Sequence, residues 1–147
     1  MIKKYRILLV LALVVLVGGF SFFYRMYQYD MKSLQDFVVS YQTFDRTIAD
    51  FADDGTSDSE SKASDALTKL TAKAGVRISS LIRNDSLIPP ATLQVADLAE
   101  KELESLKAYK NARQNKNTNV NNLLTAFNDL MAERKAAYDS FQKLDSS

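Results

Sequence analysis

ILLVLALVVLVGGFSFFY, residues 7–24, is a run of 18 residues without a charge. As an α-helix it is about 27 Å long, close to the thickness of a hydrocarbon core. Backbone amides inside lipid have to bond one another, and a helix lets them do so. Ile7, Leu11, Val14, Val17, Phe20 and Tyr24 sample the whole span. Phe20, Phe22, Phe23 and Tyr24, continued by Tyr27 and Tyr29, suit the membrane–water boundary, where amphipathic rings settle. Residues 1–25 therefore read as a membrane anchor. A cleaved signal peptide is the alternative, with MIKKYR as its charged start, Ile7 to Val17 as its apolar core and Val17-Gly18-Gly19 as the cut. Bulky aromatics just past Gly19 and the lack of an Ala-x-Ala site speak for retention. Lipid modification of the leader needs a cysteine, and the chain has none.

Lys3, Lys4 and Arg6 precede the span, and Arg25 and Lys32 follow it. That small excess of positive charge favours a cytoplasmic amino terminus. Residues 26–147 are then extracytoplasmic, either periplasmic or at the cell surface. This body holds 15 basic and all 18 acidic side chains. It has no basic stripe with which to neutralise phosphates, so nucleic-acid binding is not expected.

Beyond the anchor, Leu34, Phe37, Tyr41, Phe44, Ile48 and Phe51 recur in steps of three and four. They form an apolar stripe down one helix over residues 26–52, with Val38 widening it. No glycine or proline interrupts the chain between Phe20 and Ala52, so anchor and first body helix can run on as one rod. The turn Ala52-Asp-Asp-Gly-Thr-Ser ends it, and Ser57 with Glu60 forms a capping box for a helix over 57–83. Its inward stripe is Ala63, Leu67, Leu70, Ala74, Ile78 and Leu81, with Gly75 as a weak interior position. Pro89 and Pro90 make the sharpest break, and a third helix over 90–113 points Leu93, Ala96, Ala99, Leu103 and Leu106 inward. The Asn-rich stretch Asn111 to Asn119 reads as a loop. A fourth helix over 118–144, capped by Thr118 or Asn119, carries Val120, Leu123, Leu124, Phe127, Leu130, Met131, Ala137, Tyr138, Phe141 and Leu144.

Four helices of nearly equal length on short connections imply an all-α fold: one transmembrane helix, then an antiparallel up-down-up-down four-helix bundle. A three-helix body with the first helix splayed away is the alternative.

The chain also lacks histidine and tryptophan. Thiolate and imidazole metal sites, Cys-His and Ser-His-Asp catalysis and imidazole bases are thereby excluded. Asp50 to Ser61 resembles a calcium loop only in its acids: Ala52 and Ser61 replace two essential ligands, so a solvated turn is expected. Glu100, Glu102 and Glu104 fall between apolar positions and are expected to face water. Arg134 lies on the apolar stripe of the last helix. With Ala52 and Thr118 set level, Arg134 falls beside Asp36, giving a candidate structural ion pair. Phe37, Tyr41, Phe44, Phe51, Phe127, Tyr138 and Phe141 read as core, with a ligand cavity among them as the alternative. Asn84-Asp-Ser matches a short glycosylation acceptor pattern.

No cofactor, metal or catalytic residue is expected. The expected partners are the lipid bilayer and another envelope protein or a second copy, and the expected role is that of a tethered, non-catalytic interaction module. A small-ligand-binding, sensor-like bundle that signals through a separate protein is the alternative function.

Overall fold

The computed structural model describes residues 2–75, 86–116 and 119–146. The described residues form an all-α fold of four helices: α1 (Ile2–Asp54), α2 (Ser57–Lys73), α3 (Ile88–Gln114) and α4 (Val120–Asp145). As the uninterrupted sequence implies, α1 runs without a break from the apolar segment into the body. Leu34, Phe37, Tyr41, Phe44, Ile48 and Phe51 are all buried, so this part of α1 belongs to a core shared with α2, α3 and α4 rather than standing apart from it.

Neighbouring helices run in opposite directions. The Asp54–Ser57 turn joins α1 to α2, and Lys73 near the end of α2 reaches Asp36 on α1 at 3.0 Å. Thr92 of α3 bonds Gly75 just past α2, while Lys107 near the other end of α3 meets Glu60 at 3.3 Å. The rings of Phe37 and Phe141 lie 5.1 Å apart, and those of Tyr41 and Tyr138 stack at 3.6 Å. No Cα of α4 comes within 8 Å of one in α1 among the described residues. Long side chains, above all these rings, span that gap, whereas the backbones of α1 and α2, and of α3 and α4, approach closely.

The α1–α2 turn is shorter than its sequence suggests. Gly55 adopts φ +62° and its N–H bonds the Phe51 carbonyl at 3.0 Å, ending α1 in the left-handed way that glycine permits. Thr56, not Ser57, caps α2: its Oγ1 accepts from the Ser59 N–H at 3.2 Å. Asp54 closes the turn by accepting from the Thr56 N–H at 2.9 Å and from the Ser59 hydroxyl. The hydrogen bond from Ser59, then that from Thr56, holds the Asp54 carboxyl below its usual range. Asp54 acts as cap, and only Gly55 and Thr56 separate the two helices.

Three boundaries correct the sequence reading. α2 stops at Lys73, where Ala74 turns extended (ψ 161°) and Gly75, φ +70°, gives its N–H to Thr92 instead of continuing as an interior residue. The expected inward residues Ile78 and Leu81, and the Asn84 pattern, lie outside the described residues. α3 begins at Ile88, ahead of both prolines, since the first turn of a helix has no intrahelical acceptors for the N–H groups that proline lacks. It also runs through Gln114 into the stretch expected to be loop.

Alanine at position 55 has to adopt a left-handed φ, and its Cβ meets the flexible Lys110 Nζ at 3.0 Å. Gly55→Ala is therefore expected to cost about 1 kcal/mol, read as a lowered denaturation midpoint with unchanged slope.

Candidate functional site

Two features stand out from an otherwise ordinary helical surface. The first is the amino-terminal half of α1, where an 18-residue window has mean hydropathy 1.8 and none of it is buried. Leu11, Val14, Val17 and Tyr24 are exposed, and Phe20 is 77% exposed; Ile7 lies in the same helix. Tyr27 and Tyr29 prolong the uncovered aromatic surface toward the body. The segment is long and apolar enough to cross a membrane. Among the described residues nothing packs on it, so water or an apolar medium has to contact the whole circumference. Large exposed apolar patches mark contact with a membrane or with another protein.

The second feature is a buried charge cluster, which sequence reasoning located only in part. Arg134 is 0% exposed. Its Nε donates to Glu102 of α3, and its Nη2 donates to the other Glu102 oxygen at 3.4 Å and to Asp45 of α1 at 2.7 Å. The guanidinium carbon also lies 5.1 Å from the ring centre of Tyr41 and 5.3 Å from that of Phe44. Nη1 has no hydrogen-bond acceptor among the described residues. The two ring faces, negative at their centres, offset part of the charge that this nitrogen carries. Burial alone lowers the pKa of Arg134, but the bond and charge of Glu102, followed by the bond of Asp45, outweigh it and raise the pKa. Glu102 is raised above its ordinary value, because burial exceeds the lowering effect of Arg134.

The pairing of Arg134 with Asp36 is therefore corrected. The ring pairs Phe37–Phe141 and Tyr41–Tyr138 set the α1–α4 register, and they bring Asp45, two and a half turns beyond Asp36, level with Arg134. Asp36 pairs instead with Lys73 across the α1–α2 face. Glu102 is corrected as well: it is 0% exposed. The buried face of α3 runs Ile88, Thr92, Val95, Ala99, Glu102, Leu106, in steps of four and three. Two polar members hide it, and Leu93, expected inward, is exposed. A lone arginine on the α4 stripe was the signal that a buried acid had to exist elsewhere in the chain.

The aromatic set closes on itself. Phe37, Tyr41, Phe44, Phe51, Phe127, Tyr138 and Phe141 are all buried in one cluster. Burial pushes the Tyr41 hydroxyl up to about 12 against the opposing effect of Arg134, and burial also raises Tyr138. A groove of about 810 Å³ is open to solvent and lies outside this cluster, where Tyr29, Met31, Lys32 and Gln35 of α1 face Lys73. No cluster of three or more acidic side chains suited to a metal ion occurs among the described residues.

Comparison with known protein families, with curated proteins and with solved structures yields no match to this chain.

Arg134→Met leaves Glu102 buried without its counter-charge and is expected to cost about 3–5 kcal/mol in chemical denaturation. A double-mutant cycle is expected to show strong coupling between Arg134 and Glu102 and none between Arg134 and Asp36. Tyr41 holds its proton more tightly in the folded state than in the unfolded one. Stability should therefore fall as pH rises from about 10 towards 12, and Tyr41→Phe should flatten that decline.

Proposed function

We propose that the chain is a membrane-tethered helical module of the cell envelope that works by contact with other proteins rather than by catalysis. In this reading residues 1–25 stay in the bilayer with a cytoplasmic amino terminus, and residues 26–147 stand outside the cytoplasm. The single observation that carries it is the uncovered apolar surface of α1 between Val10 and Tyr24, which lipid covers at no desolvation cost. The excess of Lys3, Lys4 and Arg6 ahead of the span supports the orientation. Because α1 continues unbroken into the core, the tether also holds the body at a set height and angle above the bilayer. Confinement of that kind raises the effective concentration for partners in the same membrane.

A ligand-binding body draws support from one observation, the open groove beside Lys32 and Lys73. Its apolar lining belongs to an outer face of α1, however, and the aromatic core offers it no enclosed chamber.

Full-length protein is expected in the membrane pellet after ultracentrifugation, resistant to carbonate at high pH and released by detergent. Added protease is expected to remove the body only where the outer membrane face is accessible. Full-length chain in the detergent-free supernatant would overturn the tether. Protection of the body in intact cells made permeable only in their outer layers would overturn the orientation.

A further inference from the structure

The end of the body remote from the apolar segment is a step. Arg134 on α4 is level with Asp45 on α1. At 1.5 Å per residue, the start of α4 at Val120 therefore lies about 7 Å further out than the end of α1 at Asp54. Lys110 of α3 bonds the Ala52 carbonyl at 2.6 Å, so the last turn of α3 overshoots in the same way. The α3–α4 hairpin thus forms a wall beside a floor made by the α1–α2 turn.

Wall and floor carry opposite charge. Residues 47–61 contain five acids and no base, whereas residues 105–128 contain four bases and no acid. Part of this balance is met within the molecule, by Lys62 on Asp58, by Lys107 on Glu60 and by Lys110 on the Ala52 carbonyl. Arg113 and Lys116, one and two turns further out, are exposed and form no ion pair among the described residues. The same holds for Asp50 and Asp53 on the floor. Along the wall the core-facing stripe of α4 continues from buried Phe127 to Leu123, Leu124 and Val120, which are half-buried or exposed because α1 ends before reaching them.

A step whose wall is basic with an apolar strip, and whose floor is acidic, is complementary to itself. The geometry points to a second copy of this chain as its occupant, the two tips related by a twofold axis so that each wall covers the other's floor. Arg113 and Lys116 of one copy then face Asp50 and Asp53 of its partner, and Val120, Leu123 and Leu124 are withdrawn from water. Twofold pairing satisfies both halves of the step at once, which an acidic partner on the wall alone does not. The contact is small, so the pairing is weak and salt-sensitive, and because paired tips point in opposite directions it gains strength between copies held on two facing surfaces. It does not depend on where the chain resides.

Analytical ultracentrifugation of the full chain in detergent tests this. Self-association is expected at about 0.1 M salt and should weaken about tenfold or more at about 1 M, where the screening length falls from about 10 to about 3 Å. Arg113→Glu with Lys116→Glu should abolish it, as should Asp50→Lys with Asp53→Lys, and mixing the two variants should restore a heterodimer. The chain has no cysteine, so a mixture of Lys116→Cys and Asp53→Cys single variants should form a mixed disulfide, an arm that does not require the charge-reversed variants to fold. A dimer that survives both reversals, one that mixing fails to restore, or a monomer at every concentration overturns the proposal. Binding of an acidic protein by the wall without self-association overturns it too.

Discussion

A guanidinium buried among three helices organises this molecule. Arg134 projects from α4, donates to Glu102 on α3 and Asp45 on α1, and rests against Tyr41 and Phe44. A buried charge tolerates almost no displacement, because a shift of one helical turn removes it from its carboxylates and leaves both sides desolvated and unpaired. Leucine in the same place packs nearly as well after such a slip. The cluster therefore selects a register for α4 against both other helices, which an apolar stripe by itself leaves loosely defined.

That selection matters because α1 and α4 do not touch through their backbones. The space between them is filled by large rings, with Tyr41 stacked on Tyr138 and Phe37 set edge-on against Phe141. Aromatic side chains bridge a wide gap with few rotatable bonds, so they keep the separation without much loss of side-chain entropy. Asp45 is 42% exposed, which lets one end of the charge cluster reach water while Glu102 stays dry. The register chosen here also sets how far the α3–α4 hairpin overshoots the α1–α2 turn, and so creates the step at the tip.

Much of the architecture was legible along the chain. The stripe from Leu34 to Phe51 contains only apolar and aromatic members at helical spacing, and all six are buried. The unbroken run from Phe20 to Ala52 announced one long helix, and the structure contains it. On α3 the expected inward residues Ala96, Ala99, Leu103 and Leu106 are buried, whereas Leu93 is exposed and the buried Thr92 and Glu102 escaped a reading by apolar period. Thr92 is admitted there by its bonds to the Gly75 N–H and the Pro89 carbonyl, and Glu102 by Arg134. Polarity at a core position is compensated by a partner distant in sequence, and periodicity in one segment cannot register that partner. Gly75 was misread for a related reason: whether a glycine weakens a helix or ends it depends on whether a neighbour, here Thr92, takes up the freed N–H.

Composition and period thus sufficed for the helical class, the apolar leader and the inward face of α1, since each follows from the solvent preference of a local run of side chains. The partner of Arg134, the dry setting of Glu102 and the offset between the two hairpins were decided only in three dimensions. They depend on how far one helix slides along another, and that distance is set by ring packing and charge pairing between residues dozens of positions apart.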